Sequence, residues 1–443
     1  MQKIYIYNPW YKKKNFKYKN LPLKRRNIFF DIKKYLQKKI IISISGLRRL
    51  GKTTIIKQLI NDFLQTKIKK KFLFFYSFSE TDHDLTSILN YYFENICQED
   101  LYSVKVNIFL DELQYVKNWQ ETLKFYYDIN PHISFVITGS SSLNLHKNTK
   151  ESLAGRIIDF RINPLSFQEN LYLKYNVKQF EYDLFENNFF LKFKKAESDF
   201  LPYKNEFFQY LIKGEFPEII KEKDANFIFD YLSNSVIDKI FNKDISLFEV
   251  NKKKEFLLLY KIAAQNCAQM INKTNIATEI ALNFKTVSSY LHIQKQAFLI
   301  YLIPNYLRSI RSQEKSYKKV FISSINLLLN ILKIDNFSNI PFIDFAGHVI
   351  ENYVFNALKN RKNRNMYFYY KNSKEVDLIL EKGQVLVPMK IKYKKTFKKS
   401  DINSLISFCK EKNCKYGLYV YRGECRQEKI QGFDIYFIPY WLL

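Results

Sequence analysis

An α/β fold built on a parallel sheet follows from three features of the first third of the chain. Short runs rich in β-branched and aromatic residues recur at Lys39–Ser45, Lys71–Phe78, Val106–Leu110 and Ile133–Thr138. The stretches between them are long enough for helical crossovers, which parallel strands require. The first run stops at Gly46 and leads into an amphipathic segment, TTIIKQLINDFL. Apolar runs of this kind are what strands covered on both faces show.

The elements follow in order. Residues 1–30 form a basic, aromatic-rich leader, and the sheet core is expected over 31–165. From 166 to 234 the pattern changes to long Phe/Tyr/Leu-rich helical stretches, broken by Gly214 and Pro217, as in a helical lid. Residues 235–333 read as helix, turn, helix and then a hairpin, and 334–443 return to mixed strand and helix.

Gly46–Thr53 reads GLRRLGKT, the G-x-x-x-x-G-K-[ST] spacing of a P-loop, placed after a buried strand and before a helix. The glycines let successive backbone N–H groups face an anion, and the helix N-terminus adds partial positive charge. Gly46, Leu47, Arg48, Arg49, Leu50, Gly51, Lys52, Thr53 and Thr54 are therefore expected to bind ATP, Lys52 on the β- and γ-phosphates and Thr53 on Mg²⁺. The third run ends in Asp111 and Glu112, at the sheet edge where ligands bind. Asp111 is the expected second metal ligand, and Glu112 the residue that polarises the attacking water.

The fourth run ends in TGSSSL, where Ser140 either senses the γ-phosphate or, like many strand-end hydroxyls, caps the next helix. Arg156 in SLAGR either neutralises transition-state charge, from its own chain or from a neighbouring subunit, or makes a surface ion pair.

Composition adds less. With 71 Lys plus Arg against 43 Asp plus Glu the net charge is +28, but 12 of the 71 cations are Arg, and Lys, Ile, Asn, Phe and Tyr abound while Gly is scarce. An electrostatic footprint for nucleic acid and the lysine enrichment of A/T-rich coding both give this profile. No apolar run reaches the roughly 20 residues of a membrane span, and the first twenty residues lack a signal core. The five cysteines have no CxxC pair or neighbouring His and read as free thiols of a cytoplasmic protein.

Together the stretches GLRRLGKTTIIKQLI, FLDELQYVKNWQETLKFYYD, FVITGSSSLNL and LAGRIIDFRINPLSFQE resemble the bacterial and archaeal AAA-type P-loop ATPases with a winged-helix region and a C-terminal restriction-endonuclease-like domain. LIKGEFPEII, GHVIENYVFNALKN and EVDLILEKGQVLVPMKIKY extend the resemblance over nearly the whole chain from Arg25. It implies an ATPase with ATP and Mg²⁺ as ligands, and leaves the pathway, the oligomeric state and any protein partner open.

Within 235–333, Asn275–Leu282 and Lys285–Gln296 form two helical patterns around a turn at Asn283 and Phe284. Lys285, Thr286, Ser288 and Ser289 then stand at the start of the second helix, and Arg308–Lys319 form a basic wing, so double-stranded DNA is a candidate ligand and a protein contact the competing one. In 334–443 the resemblance implies metal ligands at Glu351 and Asp377 and a lysine at Lys392. The glutamate of the family's E-x-K motif is replaced by Lys390, and its Asp-x-Gly by Ser324 and Asn326. An ammonium beside the site repels Mg²⁺, so a catalytically degraded domain is expected. Glu351 and Asp377 are then cap or ion-pair residues, or Lys390, Lys392 and Lys394 form a strip that holds nucleic acid without cutting it.

Overall fold

The four apolar runs fold as strands: β1 (Ile41–Ser45), β2 (Leu73–Ser77), β3 (Val106–Asp111) and β4 (Ile133–Thr138), joined at one edge by β5 (Ile157–Arg161). The computed structural model describes residues 2–79, 84–139, 153–245, 248, 250–307, 309–337, 343–359 and 364–443. Contacts divide the chain into a first unit, 1–163 with 243–247, and a second, 164–242 with 248–443.

In the first unit all five strands are parallel, in the order β2-β3-β4-β1-β5. Helices Lys52–Leu64, Leu85–Tyr92 and Trp119–Ile129 supply crossovers, and every residue of β1 and β3 is buried. This is the P-loop NTPase sheet expected. β5 has no uniform apolar run because its Asp159 is inserted beside β1, where it accepts from Ser43 Oγ at 2.8 Å and Ser45 Oγ at 2.7 Å.

The leader closes the other edge of the sheet. Asn8 accepts from the Phe75 N–H at 2.7 Å and donates to its carbonyl at 2.8 Å, while Trp10 and Tyr11 donate to the Leu73 carbonyl. Edge strand β2 is thereby paired rather than left open. Farther along, Arg26 donates to the carbonyls of Leu50, at 3.3 Å, and Asn163, at 2.9 Å.

The second unit begins with helices such as Phe167–Tyr175, whose Ser166 and Glu169 form a capping box. A three-stranded antiparallel sheet follows, ordered β6 (Gln269–Ile271), β8 (Lys318–Ile322), β7 (Ile300–Pro304). Helices Lys273–Glu279 and Phe284–Gln296 precede β7, capped by Asn272 and Asn283, with Ile276, Val287 and Leu291 buried.

The C-terminal sheet contains β9 (Asn365–Lys371), β10 (Lys374–Lys382), β11 (Val385–Ile391), β12 (Tyr416–Tyr421), β13 (Arg426–Ile430) and β14 (Phe433–Pro439). Its order is β13-β14-β12-β11-β10-β9, antiparallel at both ends and parallel from β11 through β12 to β14. Among the described residues no helix is long and apolar enough to cross a membrane, and all five cysteines are free and buried.

Candidate nucleotide site

The loop after β1 is shaped by close backbone approach. A Cβ on Gly46 would lie 2.3 Å from the Ile162 carbonyl oxygen, and Gly51 has φ +93°, so both positions need glycine. Buried Leu47 and Leu50 anchor the loop, Arg49 is exposed with φ 64°, and Thr54 is half-buried in the first helical turn.

Lys52 opens the helix that follows, and its side chain turns back over the loop. Nζ donates to the carbonyls of Gly46, at 2.9 Å, and Leu47, at 3.0 Å. Burial pushes its pKa down, opposed by the charges of Glu112, Asp244 and Asp111. Thr53 Oγ1 donates to Asp111 Oδ2 at 2.8 Å, bringing the two expected metal ligands together. Ser77 also donates to that oxygen, at 3.3 Å, and Thr138 Oγ1 donates to Oδ1. Burial, and then the Glu112 charge, raise the Asp111 pKa, while the bonds from Thr138 and Thr53 lower it.

Glu112 follows the last residue of β3 in a left-handed conformation, φ 57°. Its N–H donates to Thr138 Oγ1 at 3.2 Å, and its carboxylate accepts from Gln114. Lys52, Thr53, Asp111 and Glu112 thus meet at the carboxyl edge of the sheet, with Thr138 bracing both acids.

Two expected participants do not join this cluster. Ser140 lies outside the described residues. Arg156 precedes β5 at the opposite edge of the sheet: its carbonyl accepts from the Ile41 N–H at 2.8 Å, where β1 begins, whereas the P-loop leaves the far end of β1. The strand, at about 3.3 Å per residue, keeps it away from the phosphate loop of its own chain. There its guanidinium pairs with Asp128, at 2.9 and 3.3 Å.

Asp244 carries no sequence signal, yet it stands at the loop, 196 residues from its partner Arg48. Tyr115, which also accepts from Arg48, belongs to the turn after Glu112.

A second charged cluster lies wholly in the second unit. Lys319 of β8 donates to Glu351 at 2.5 Å and Glu375 at 2.7 Å, and Lys390 of β11 donates to Asp377 at 2.6 Å. They line a cavity of about 680 Å³. Burial raises Glu351 to about 8; the Lys319 charge opposes this, and Asp377 and Glu375 reinforce it. Within the expected strip, Lys390 is thus taken by Asp377 and Lys394 by Asp401, at 2.8 Å, while Lys392 is half-buried. Lys319, expected in the wing, is 2% exposed, and Arg308 lies outside the described residues. Ser324 and Asn326 instead hold the buried Glu215, Ser324 donating to its carboxylate and the Asn326 N–H doing so at 3.0 Å.

Residues 38–171 match the family described as AAA domain, and 204–338 and 346–443 match two domains of unknown function, DUF8612 and DUF4143. An uncharacterized protein of Methanocaldococcus jannaschii is 29% identical over 421 residues, covering 90% of this chain and 86% of its own. Another, of Haemophilus influenzae, is 24% identical over 439 residues, covering 95% and 98%. Among solved structures, the Orc1 protein of Aeropyrum pernix in complex with DNA is 12% identical with TM-score 0.31, covering 73% of this chain and 94% of that one. With its family match, its parallel sheet and the loop after β1, the first unit carries a P-loop domain similar to the AAA ATPases.

Proposed function

We propose that the first unit binds ATP with Mg²⁺ and hydrolyses it. The observation that carries this reading is the convergence of Thr53 and Asp111, 2.8 Å apart, beside Lys52 and Glu112 at the end of β3. A hydroxyl and a carboxylate are hard oxygen donors, suited to Mg²⁺. When bound, the ion would neutralise charge on the β- and γ-phosphate oxygens. The loop N–H groups and Lys52 orient the phosphates, Asp111 and Thr53 hold the metal, and Glu112 orients water for attack. Thr138 keeps both acids in place from the neighbouring strand.

Glu112→Gln keeps the shape of the side chain and removes its basicity. Binding of ATP is expected to persist while steady-state phosphate release falls about 10²–10⁴-fold. Hydrolysis at the wild-type rate would remove Glu112 from its role.

The attached region supports a winged-helix reading, with helices Lys273–Glu279 and Phe284–Gln296 and strands β6 to β8 in suitable order. Lys285 and Ser289 are exposed on the second helix, as a base-reading helix requires. Duplex DNA is the ligand this arrangement fits. In a salt titration of duplex binding, Lys285→Ala is expected to reduce the slope of log K against log salt by about 0.9. An unchanged slope would remove this helix as the reader. In the C-terminal domain the Lys390 ammonium holds Asp377, and nuclease chemistry is not part of the proposed function.

A further inference from the structure

Besides Lys52 the P-loop carries two arginines, and one of them, Arg48, is held in a fork by a carboxylate. Arg48 Nε lies 3.0 and 2.9 Å from the two carboxylate oxygens of Asp244, and a terminal nitrogen lies 2.7 Å from Oδ1. That nitrogen also donates to the Tyr115 hydroxyl at 3.0 Å. The Asp244 side chain is 3% exposed and that of Arg48 19%, so this fork is shielded from water in a way that surface pairs are not.

Two further facts separate the pair from a simple brace. Asp244 stands at the phosphate loop itself, because its partner Arg48 belongs to the Gly46–Thr53 stretch. It also lies in residues 243–247, a short return of the chain to the first unit, flanked on both sides by chain of the second. A carboxylate beside a phosphate cradle opposes an anionic ligand and masks a guanidinium whose geometry suits phosphate.

We propose that Asp244 is an internal counter-ion that competes with nucleotide phosphates for Arg48, so that it sets nucleotide affinity. This rests on the P-loop being the ATP site. Asp244 acts through Arg48 and is a positioning residue.

The test is binding of N-methylanthraniloyl-ATP with Mg²⁺ to the full chain. Asp244→Asn is expected to tighten binding about tenfold, and adding Arg48→Met to it is expected to remove that gain. An unchanged or weaker affinity in Asp244→Asn, or a gain that survives in the double variant, overturns the inference; a purely structural salt bridge predicts weaker binding. Loss of binding in Lys52→Ala shows that the P-loop reading stands whatever Asp244 does, whereas wild-type binding by Lys52→Ala overturns both.

Discussion

Lys52→Ala is expected to weaken ATP binding at least about 100-fold, roughly 2.7 kcal/mol, and to abolish hydrolysis. Lys52 is the buried ammonium at the end of the loop, and its two bonds to the Gly46 and Leu47 carbonyls show that its side chain reaches across the cradle. The substitution therefore removes both a point charge for phosphate and a clasp on the loop. Equilibrium binding of a fluorescent ATP analogue measures the effect. Thermal unfolding separates it from loss of the fold, which should survive because β1 and the sheet core do not depend on the ammonium. Lys52→Arg is expected to recover little, since a planar fork does not replace a compact ammonium.

Lys319→Met is expected to destabilise the second unit by about 3–5 kcal/mol, the cost of removing one partner from a buried hydrogen-bonded charge pair. Lys319 pairs with both Glu351 and Glu375, and its own side chain and that of Glu351 are 2% and 9% exposed. Urea unfolding of the full chain measures the loss, and adding Glu351→Gln and Glu375→Gln to Lys319→Met is expected to restore part of it. The sign of the pH dependence follows from Glu351. Its folded pKa, about 8, lies above the ordinary 4.5, so its contribution is fully present below about 4.5 and is lost as pH rises to about 8. Lys319 is shifted upward, so its contribution persists through that window and is lost only at higher pH. Glu351→Gln should therefore flatten the fall in stability between these limits.

Much of the first unit was legible because local chemistry and fold agree there. The runs that became β1 to β4 are buried on both faces, and the P-loop spacing is a backbone requirement, seen at Gly46 against Ile162. The place of Asp111 and Glu112 at the end of β3 was legible because the apolar run stops there. β5 was not, since Asp159 and Arg161 interrupt its apolar character for reasons that exist only beside β1.

Pairings between distant residues were the larger loss. Nothing in the spacing connects Arg48 with Asp244, or Lys319 with Glu351, because each pair is made by tertiary packing. Arg156 shows the converse: a suggestive residue type in a suggestive context, carried by the parallel pairing of β1 and β5 to the edge away from the P-loop. Lys390 was legible as a departure from the E-x-K pattern. Its bond to Asp377 pairs it with the carboxylate that the resemblance implies as a metal ligand.

Lys52, Thr53, Asp111 and Glu112 together make the proposed ATP-hydrolysing site. Its most direct test is phosphate release from ATP by the purified full chain, with and without Mg²⁺, beside Lys52→Ala and Glu112→Gln. Mg²⁺-dependent release is expected in the wild type and is expected to be lost in both variants, with ATP binding retained only in Glu112→Gln. Release that persists in Lys52→Ala, or its absence from a wild type that binds Mg²⁺ and ATP, would contradict this assignment.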